Sequence, residues 1–164
     1  MKKISVAVIS VLLMAVIVLS GCAQAAKTGD KVQVNYTGKF ENGTVFDSSA
    51  GRDPLEFTLG TGKVIPGFEK AVLGMKTGEK KTVTIPAAEA YGPHLDELVI
   101  ELSRSQLPPE ITPEVGMKLE SPQDDGTTIV AMITSVTSTT ITLDANHPLA
   151  GRTLTFDIEL LKIL

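Results

Sequence analysis

The stretch GKVIPGFEKAVLGM at residues 62–75 constrains the fold more than any other, because it has the one clear helical period outside the extreme N-terminus. Its apolar side chains recur at i, i+3, i+4 and i+7, which predicts one apolar helix face made of Phe68, Ala71, Val72 and Met75. Pro66 suits a first helical turn, and Gly74 suits a left-handed cap. A helix of about two turns is marginal on its own, so the surrounding segments must hold it.

Those surrounding segments have the alternating pattern of half-buried strands. In the first of them, Val32, Val34 and Tyr36 share one face. Leu161 interrupts the alternation of the last one, as a β-bulge would. The sequence Glu-Asn-Gly at 41–43 is typical of a hairpin turn. We therefore expect an α+β layer, in which one antiparallel sheet curves over one short helix, with strands at residues 31–37, 44–47, 55–59, 80–85 and 154–160.

The N-terminus has the pattern of an export signal. Lys2 and Lys3 precede an apolar run at residues 4–19, and Leu-Ser-Gly-Cys follows at 19–22. A basic start, an apolar stretch and small residues describe a secretory signal, although the run also approaches the length of a short membrane anchor. Its ending resembles a bacterial lipobox, which implies a signal peptide at 1–21 and acylation of Cys22. We therefore expect a lipid anchor in the cell envelope, on the outer membrane facing the periplasm or on the outer face of the plasma membrane.

Composition excludes several other classes. Cys22 is the only cysteine, so no disulfide can form within one chain. Without residues 1–21 the chain has 13 basic and 19 acidic side chains and no basic patch, which disfavours a nucleic-acid partner. With two histidines and an acylated cysteine, a transition-metal site is not expected either.

The segment 95–144 differs in charge from the rest of the chain. It contains nine acidic and two basic side chains, net −7, whereas the remainder after residue 21 has a net charge of +1. This asymmetry predicts a separate unit. Strand patterns occur at 98–102, 116–120, 127–136 and 139–144, and the third is apolar on both faces. Ile129, Ala131 and Ile133 form one face and Val130, Met132 and Val136 the other. The second face is either buried against the rest of the protein or exposed as a binding surface.

Five motifs, in order, together resemble the FKBP-type peptidyl-prolyl isomerases: VNYTG at 34–38, GTVFDSS at 43–49, GKVIPGFE at 62–69, AYG at 90–92 and FDIELL at 156–161. The return of the chain through DANHPLAG at 144–151 resembles the SlyD-like branch. That branch carries a small, mainly-β insert-in-flap domain with a chaperone role. The resemblance implies an isomerase domain at 27–94 and 145–164, with the insert at 95–144. Two features depart from the pattern, since there is no His-rich tail and Phe68 stands where many members have Trp.

The resemblance also implies the chemistry. Rotation about an X–Pro amide is slow because it breaks C–N resonance, and an apolar pocket favours the less polar, twisted amide. No cofactor or metal is required. Phe68 is expected as the pocket floor, with Tyr91 and the Ile65 N–H as donors to the substrate. Arg52 is expected to pair with Asp47. The implied catalytic residues are Tyr36, Asp47, Phe68, Tyr91 and Phe156, and the implied substrate-binding residues are Phe46, Arg52, Leu55, Val64, Ile65 and His147.

The expected partners are unfolded or proline-containing polypeptides, bound by a monomer that is held at the membrane through Cys22. Alternatives remain for single residues: Phe46 and Phe156 also suit an ordinary core, Asp47 a strand-end turn, and His147 a structural loop. The main alternative function is a non-catalytic holdase or binding lipoprotein. A nutrient-binding lipoprotein and a hydrolase fit less well, since the chain is short and neither histidine has an evident nucleophilic partner.

Overall fold

The structure is a computed structural model that describes residues 24–122 and 126–164. The expected signal peptide and Cys22 lie outside the described residues. The described chain forms one α-helix and nine strands: β1 Lys31–Phe40, β2 Val45–Ser48, β3 Leu55–Thr58, α1 Pro66–Val72, β4 Lys80–Ile85, β5 Val99–Ser103, β6 Lys118–Pro122, β7 Thr128–Val136, β8 Thr140–Asp144 and β9 Leu154–Ile163.

The first sheet is antiparallel throughout and is built around β1. Strand β1 pairs with β9 along one edge, and its other edge is shared by β3 and β2. Strand β4 pairs with the far edge of β9. The predicted bulge at Leu161 is confirmed, because Val34 pairs with Leu160 and Gln33 with Lys162, which leaves Leu161 as the extra residue. The predicted hairpin is also confirmed, with the Gly43 N–H donating to the Phe40 carbonyl.

Helix α1 packs its apolar face on this sheet, as predicted from residues 62–75. Phe68, Ala71 and Val72 are buried. Gly74 follows at φ 82°, in the left-handed region that suits glycine. Met75 therefore lies beyond the helix, yet it is fully buried. The Lys81 ammonium donates to the Ala71 carbonyl at 2.8 Å and satisfies part of the helix C-terminus.

A second antiparallel sheet contains β5, β8, β7 and β6 in that order. Its core is small and consists of Ala131, Ile133, Ile141 and Leu143 with their half-buried neighbours. We call residues 99–144 the four-stranded unit, and residues 24–92 with 151–164 the five-stranded unit. The α+β expectation is thus met by an antiparallel sheet with one short helix, and the segment that differs in charge forms its own sheet.

Three details of the four-stranded unit differ from the sequence pattern. Val136 was expected on the outer face of β7 with Val130 and Met132, but it packs against the small core, because the register shift between Ile133 and Ser135 reverses the alternation. The strand expected at 116–120 begins at Lys118, because Gly116 adopts a φ of 92° in the preceding turn. Ile129 was expected on the core face with Ala131 and Ile133, but it is 48% exposed. It lies near the start of β7, beyond the reach of the four-residue core.

The two connections between the units run side by side. The Gly151 N–H donates to the Gly92 carbonyl at 2.8 Å. The Asn146 amide bonds to both the N–H and the carbonyl of Leu95, each at 2.9 Å. His94 Nε2 lies 3.0 Å from Asp144 Oδ2. Within the described ranges, no helix is long and apolar enough to cross a membrane.

Candidate active site

A cavity of about 470 Å³ opens between the sheet and the start of α1. Its size is within the range of small-ligand pockets, which is about 300–1,000 Å³. Aromatic and aliphatic side chains form most of its wall. The lining residues are Tyr36, Phe46, Asp47, Leu55, Gly62, Lys63, Val64, Ile65, Pro66, Phe68, Tyr91 and Phe156.

Phe68 is the centre of the aromatic wall. Its ring lies 5.3 Å from Phe156 and 5.9 Å from Tyr36, both in edge-to-face arrangements. Such contacts are favoured by the ring quadrupoles and stabilise the pair by about 0.5–1.5 kcal/mol beyond burial. The floor of the cavity is therefore held in place by packing from β1, β9 and α1 together.

Gly38 makes room for two of these rings. A Cβ on Gly38 would lie 2.6 Å from the Phe46 ring and 2.9 Å from the Phe156 ring. The two rings meet edge to face across this position, 5.7 Å apart. A larger residue at 38 would push both rings into the cavity.

The turn into α1 forms one rim of the cavity. Val64 and Ile65 lie immediately before the helix, and the Ile65 carbonyl accepts from the N–H groups of Phe68 and Glu69. Ile65 is the N-cap residue, and N–H groups at a helix start have no intrahelical acceptor. The Ile65 N–H therefore has no acceptor within the helix, and Ile65 lines the cavity.

Tyr36, Asp47 and Arg52 form a hydrogen-bonded chain at the other rim. The Tyr36 hydroxyl donates to Asp47 Oδ2 at 2.5 Å, and Arg52 donates to Asp47 Oδ1 at 2.5 Å. Burial, together with the bond to Asp47, raises the pKa of Tyr36 to about 12. The bonds from Tyr36 and Arg52 lower the pKa of Asp47. At neutral pH Tyr36 is therefore a neutral donor and Asp47 is an anion.

Tyr91 closes the cavity on the side of the four-stranded unit. Its ring is stacked on the His147 ring, with centroids 4.1 Å apart and planes 6° from parallel. His147 itself is oriented by its own loop, since Nδ1 accepts from the Leu149 N–H at 3.1 Å. His147 lines a second cavity on the far side of this ring pair.

The structure brings together nine of the eleven residues expected from the sequence. Arg52 and His147 are the two that do not line the cavity: Arg52 lies behind Asp47, and His147 behind Tyr91. Three lining residues had no expected role there, namely Gly62, Lys63 and Pro66. All three belong to the motif at 62–69, which was the available signal. In the part of the chain that the structure describes, no group of three or more His, Cys, Asp and Glu side chains is placed to hold a metal ion.

Comparison with known proteins adds an independent observation. The profile of the family described as FKBP-type peptidyl-prolyl cis-trans isomerase matches residues 22–161. The chain is 37% identical over 132 residues to the FKBP-type peptidyl-prolyl cis-trans isomerase SlyD of Treponema pallidum (strain Nichols), covering 80% of this chain and 74% of that protein.

Two further relatives extend the similarity to other lineages. The short-type peptidyl-prolyl cis-trans isomerase of Methanocaldococcus jannaschii is 36% identical over 148 residues, covering 81% of this chain and 90% of the relative. The FKBP-type 16 kDa peptidyl-prolyl cis-trans isomerase of Escherichia coli (strain K12) is 32% identical over 142 residues, covering 86% and 95%.

Proposed function

The chain belongs to the FKBP-type peptidyl-prolyl cis-trans isomerase family and has that class of enzyme activity. We propose that it assists protein folding in the cell envelope, with the aromatic cavity as its catalytic site and the four-stranded unit as a client-binding module. The observation that carries the catalytic part is the ring cluster around Phe68. It forms an apolar floor of the kind that amide rotation requires.

The cavity accounts for catalysis without proton transfer. The barrier to rotation, about 18–20 kcal/mol, comes from amide resonance. The twisted amide is less polar than the planar one, so an apolar wall destabilises the ground state relative to the transition state. Tyr91 and the Ile65 N–H are the donors that hold the carbonyls on either side of the proline. The Tyr36 proton is committed to Asp47, so Tyr36 acts as a fixed wall.

The client-binding part of the proposal is supported by exposed apolar side chains. Six of the nine large hydrophobic residues that are exposed in the described chain lie between residues 95 and 130: Leu95, Leu98, Ile100, Val115, Ile129 and Val130. Four of these six, Ile100, Val115, Ile129 and Val130, belong to the four-stranded unit, and apolar exposure concentrated in one part of a chain favours an interaction surface. Val130 is 46% exposed, which favours the binding-surface interpretation of the second face of β7. We infer that this unit corresponds to the insert-in-flap domain of the SlyD-like branch.

The decisive experiment removes residues 93–150 and joins Gly92 to Gly151 by a short loop. The bond between these two glycines shows that the chain ends to be joined are close. If the unit binds clients, it raises the local concentration of an unfolded chain at the cavity. Refolding of a proline-limited protein should then slow strongly, whereas isomerisation of a tetrapeptide should remain within a few-fold of the parent.

The matched control is the full chain with Phe68→Ala, which removes the pocket floor and keeps the four-stranded unit. It should lose tetrapeptide activity while still delaying the aggregation of a proline-free client. A parallel loss of both activities in the deletion variant would contradict client binding, because it would mean that the unit only completes the wall of the cavity.

The location is proposed from the sequence of the N-terminus. Two acyl chains on Cys22 would hold the protein stably on a membrane, whereas one chain would not. Cys22→Ser should abolish incorporation of labelled palmitate and release the protein from the membrane fraction. Palmitate incorporation that persists in this variant would place the anchor elsewhere.

A further inference from the structure

A second cavity lies at the junction of the two units. It has a volume of about 630 Å³ and is bounded by β6, β7 and the end of β8 on one side and by the returning connection on the other. We call it the junction groove. Its lining residues are His94, Lys118, Val130, Met132, Thr134, Asp144, Ala145, Asn146, His147, Pro148, Ala150 and Arg152.

The centre of the junction groove is apolar. Val130 and Met132 lie on the face of β7 that points away from the small core, and Val130 is among the exposed hydrophobic residues. Ala145 and Pro148 contribute from the returning connection. An aliphatic side chain entering here would bury apolar surface on both partners, which is favourable by about 25 cal/mol per Å².

Two cations flank this apolar centre. Lys118 lies directly opposite Met132 on the neighbouring strand. The Arg152 guanidinium lies 5.0 Å from the centre of the Phe40 ring, in a cation–π contact that leaves its N–H groups available. Within residues 24–122 and 126–164, neither Lys118 nor Arg152 forms an ion pair with a carboxylate.

The acidic groups near the groove that the structure describes are not ion-paired with these cations. Among residues 24–122 and 126–164, Asp144 is the one carboxylate that lines the groove, and it is bonded to His94 at 3.0 Å and to Asn146 at 2.8 Å. Glu120 shares the sheet face of Lys118 and lies opposite Val130, at the edge of the groove, but it is not one of the lining residues. Among the described residues, the lining of the groove therefore carries two cations and one carboxylate, although the neighbouring segment 95–144 has a net charge of −7.

We propose that the junction groove binds extended segments of unfolded polypeptide in which an acidic side chain lies within a few residues of an aliphatic one. The aliphatic side chain rests on Val130 and Met132, and the carboxylate is held by Lys118 and Arg152. This inference rests on the proposed client-binding function and specifies the class of segment that is bound. Because the other acidic side chains of the four-stranded unit repel such a segment, the junction groove is where it binds.

The position of the groove connects this binding to the reaction. His147 lines the groove, and its stacking partner Tyr91 lines the isomerase cavity. A single pair of rings thus separates the two cavities. A segment held in the groove brings prolines a few residues away within reach of the catalytic site.

The test uses the full-length chain and three labelled peptides without proline, which are identical except for Glu, Gln or Lys beside an aliphatic pair. Fluorescence anisotropy at low salt should give about tenfold tighter binding of the Glu peptide than of the Gln peptide, since two partly exposed ion pairs each add up to about 1 kcal/mol. The Lys peptide should bind most weakly. The preference should shrink as salt is added.

Variants locate the effect. Lys118→Gln and Arg152→Met should each reduce the preference for the Glu peptide severalfold, and Met keeps an aliphatic stem over Phe40. Lys162→Gln, an exposed lysine on β9 far from the groove, is the matched control and should leave the preference unchanged. Circular dichroism confirms that each variant is folded.

Three results would overturn the inference. Equal binding of the Glu and Gln peptides would remove the acidic specificity and leave client binding intact. A preference that persists unchanged in both Lys118→Gln and Arg152→Met would place the site elsewhere on the protein. A failure of all three peptides to bind would overturn the junction groove and the proposed client binding together.

Discussion

The two units are made of the same kind of antiparallel sheet but differ in what covers them. In the five-stranded unit, helix α1 covers one face of the sheet, and fourteen apolar residues are buried in a continuous core. The four-stranded unit has no α-helix among its described residues and buries four apolar residues in its core. Since burial of apolar surface is the main favourable term in folding, the five-stranded unit is expected to be much the more stable of the two.

This difference matches what each unit has to do. A cavity that selects a twisted amide must keep its walls fixed, and the rings around Phe68 are held by packing from three elements. A surface that binds many unfolded segments must instead leave apolar groups in contact with water. Local opening of a protein draws on its least stable elements. We therefore expect the four-stranded unit to open while the catalytic cavity stays intact.

The largest expected effect comes from one matched pair of core truncations. Ile158 and Ile133 are both buried residues near the middle of a strand, one in each unit. Removing a buried Ile side chain costs about 2–5 kcal/mol. Ile158→Ala should lower the denaturation midpoint of the whole protein and reduce isomerase activity as temperature rises. Ile133→Ala should unfold the four-stranded unit selectively, with loss of hydrogen-exchange protection confined to residues 99–144.

Tetrapeptide isomerisation separates the two variants. It should be nearly unchanged at 25 °C in Ile133→Ala, although refolding of a protein client slows. If Ile133→Ala instead lowers the global midpoint as much as Ile158→Ala does, the units unfold together and the comparison fails.

A smaller effect is expected where the units meet, at Tyr91. Tyr91→Phe removes one neutral hydrogen bond to the substrate, which corresponds to roughly a two- to tenfold loss in kcat/KM for a tetrapeptide. Tyr91→Ala also removes the wall and the stack on His147, so the loss should exceed tenfold. His147→Ala leaves the Tyr91 hydroxyl in place and should have the smallest effect of the three. A loss in His147→Ala as large as in Tyr91→Ala would make the histidine a direct substrate contact.

Sequence reasoning succeeded where a residue's position follows from local pattern. The period of residues 62–75 located α1, and alternation located the strands and the bulge at Leu161. Six of the nine expected cavity residues lie on those strands and on α1, namely Tyr36, Phe46, Asp47, Leu55, Phe68 and Phe156, whereas Val64, Ile65 and Tyr91 lie in turns beyond the reach of any period. The roles assigned to these residues remain predictions.

It succeeded less well where a side chain's surroundings depend on distant parts of the chain. The expected pairing of Arg52 with Asp47 is present, but it followed from the family resemblance, because Arg52 sits in a loop without periodicity. His147 also sits in a loop, and its stacking on Tyr91 could not be read from any periodicity. The junction groove combines Lys118 with Arg152, which are 34 residues apart and belong to different units. No local pattern indicates that pairing.

The smallest predicted effect concerns the pH dependence of the five-stranded unit. The bonds from Tyr36 and Arg52 lower the pKa of Asp47 below its ordinary value of 3.8. A carboxyl group whose pKa is lower in the folded state stabilises the fold above its unfolded pKa, and the contribution is lost as pH falls through the folded pKa. Because Asp47 is partly exposed, with 44% of its side chain accessible, the contribution should be at most about 1 kcal/mol.

Asp47→Asn isolates this contribution. The difference in the free energy of unfolding between parent and variant should be constant from about pH 5 to 9 and should shrink below about pH 4.

Tyr36→Phe tests the other end of the same hydrogen bond. Since burial raises the pKa of Tyr36 to about 12, its contribution is present below the unfolded value near 10 and is lost as pH rises through 12. Hydrogen exchange in residues 99–144 should not follow either transition, because the Tyr36–Asp47–Arg52 chain makes its contacts within the five-stranded unit. The contradicting result would be a pH-dependent opening of the four-stranded unit that disappears in Asp47→Asn. It would mean that the cavity and the client-binding surface are energetically coupled, and the view that a rigid site and an open surface behave independently would then be wrong.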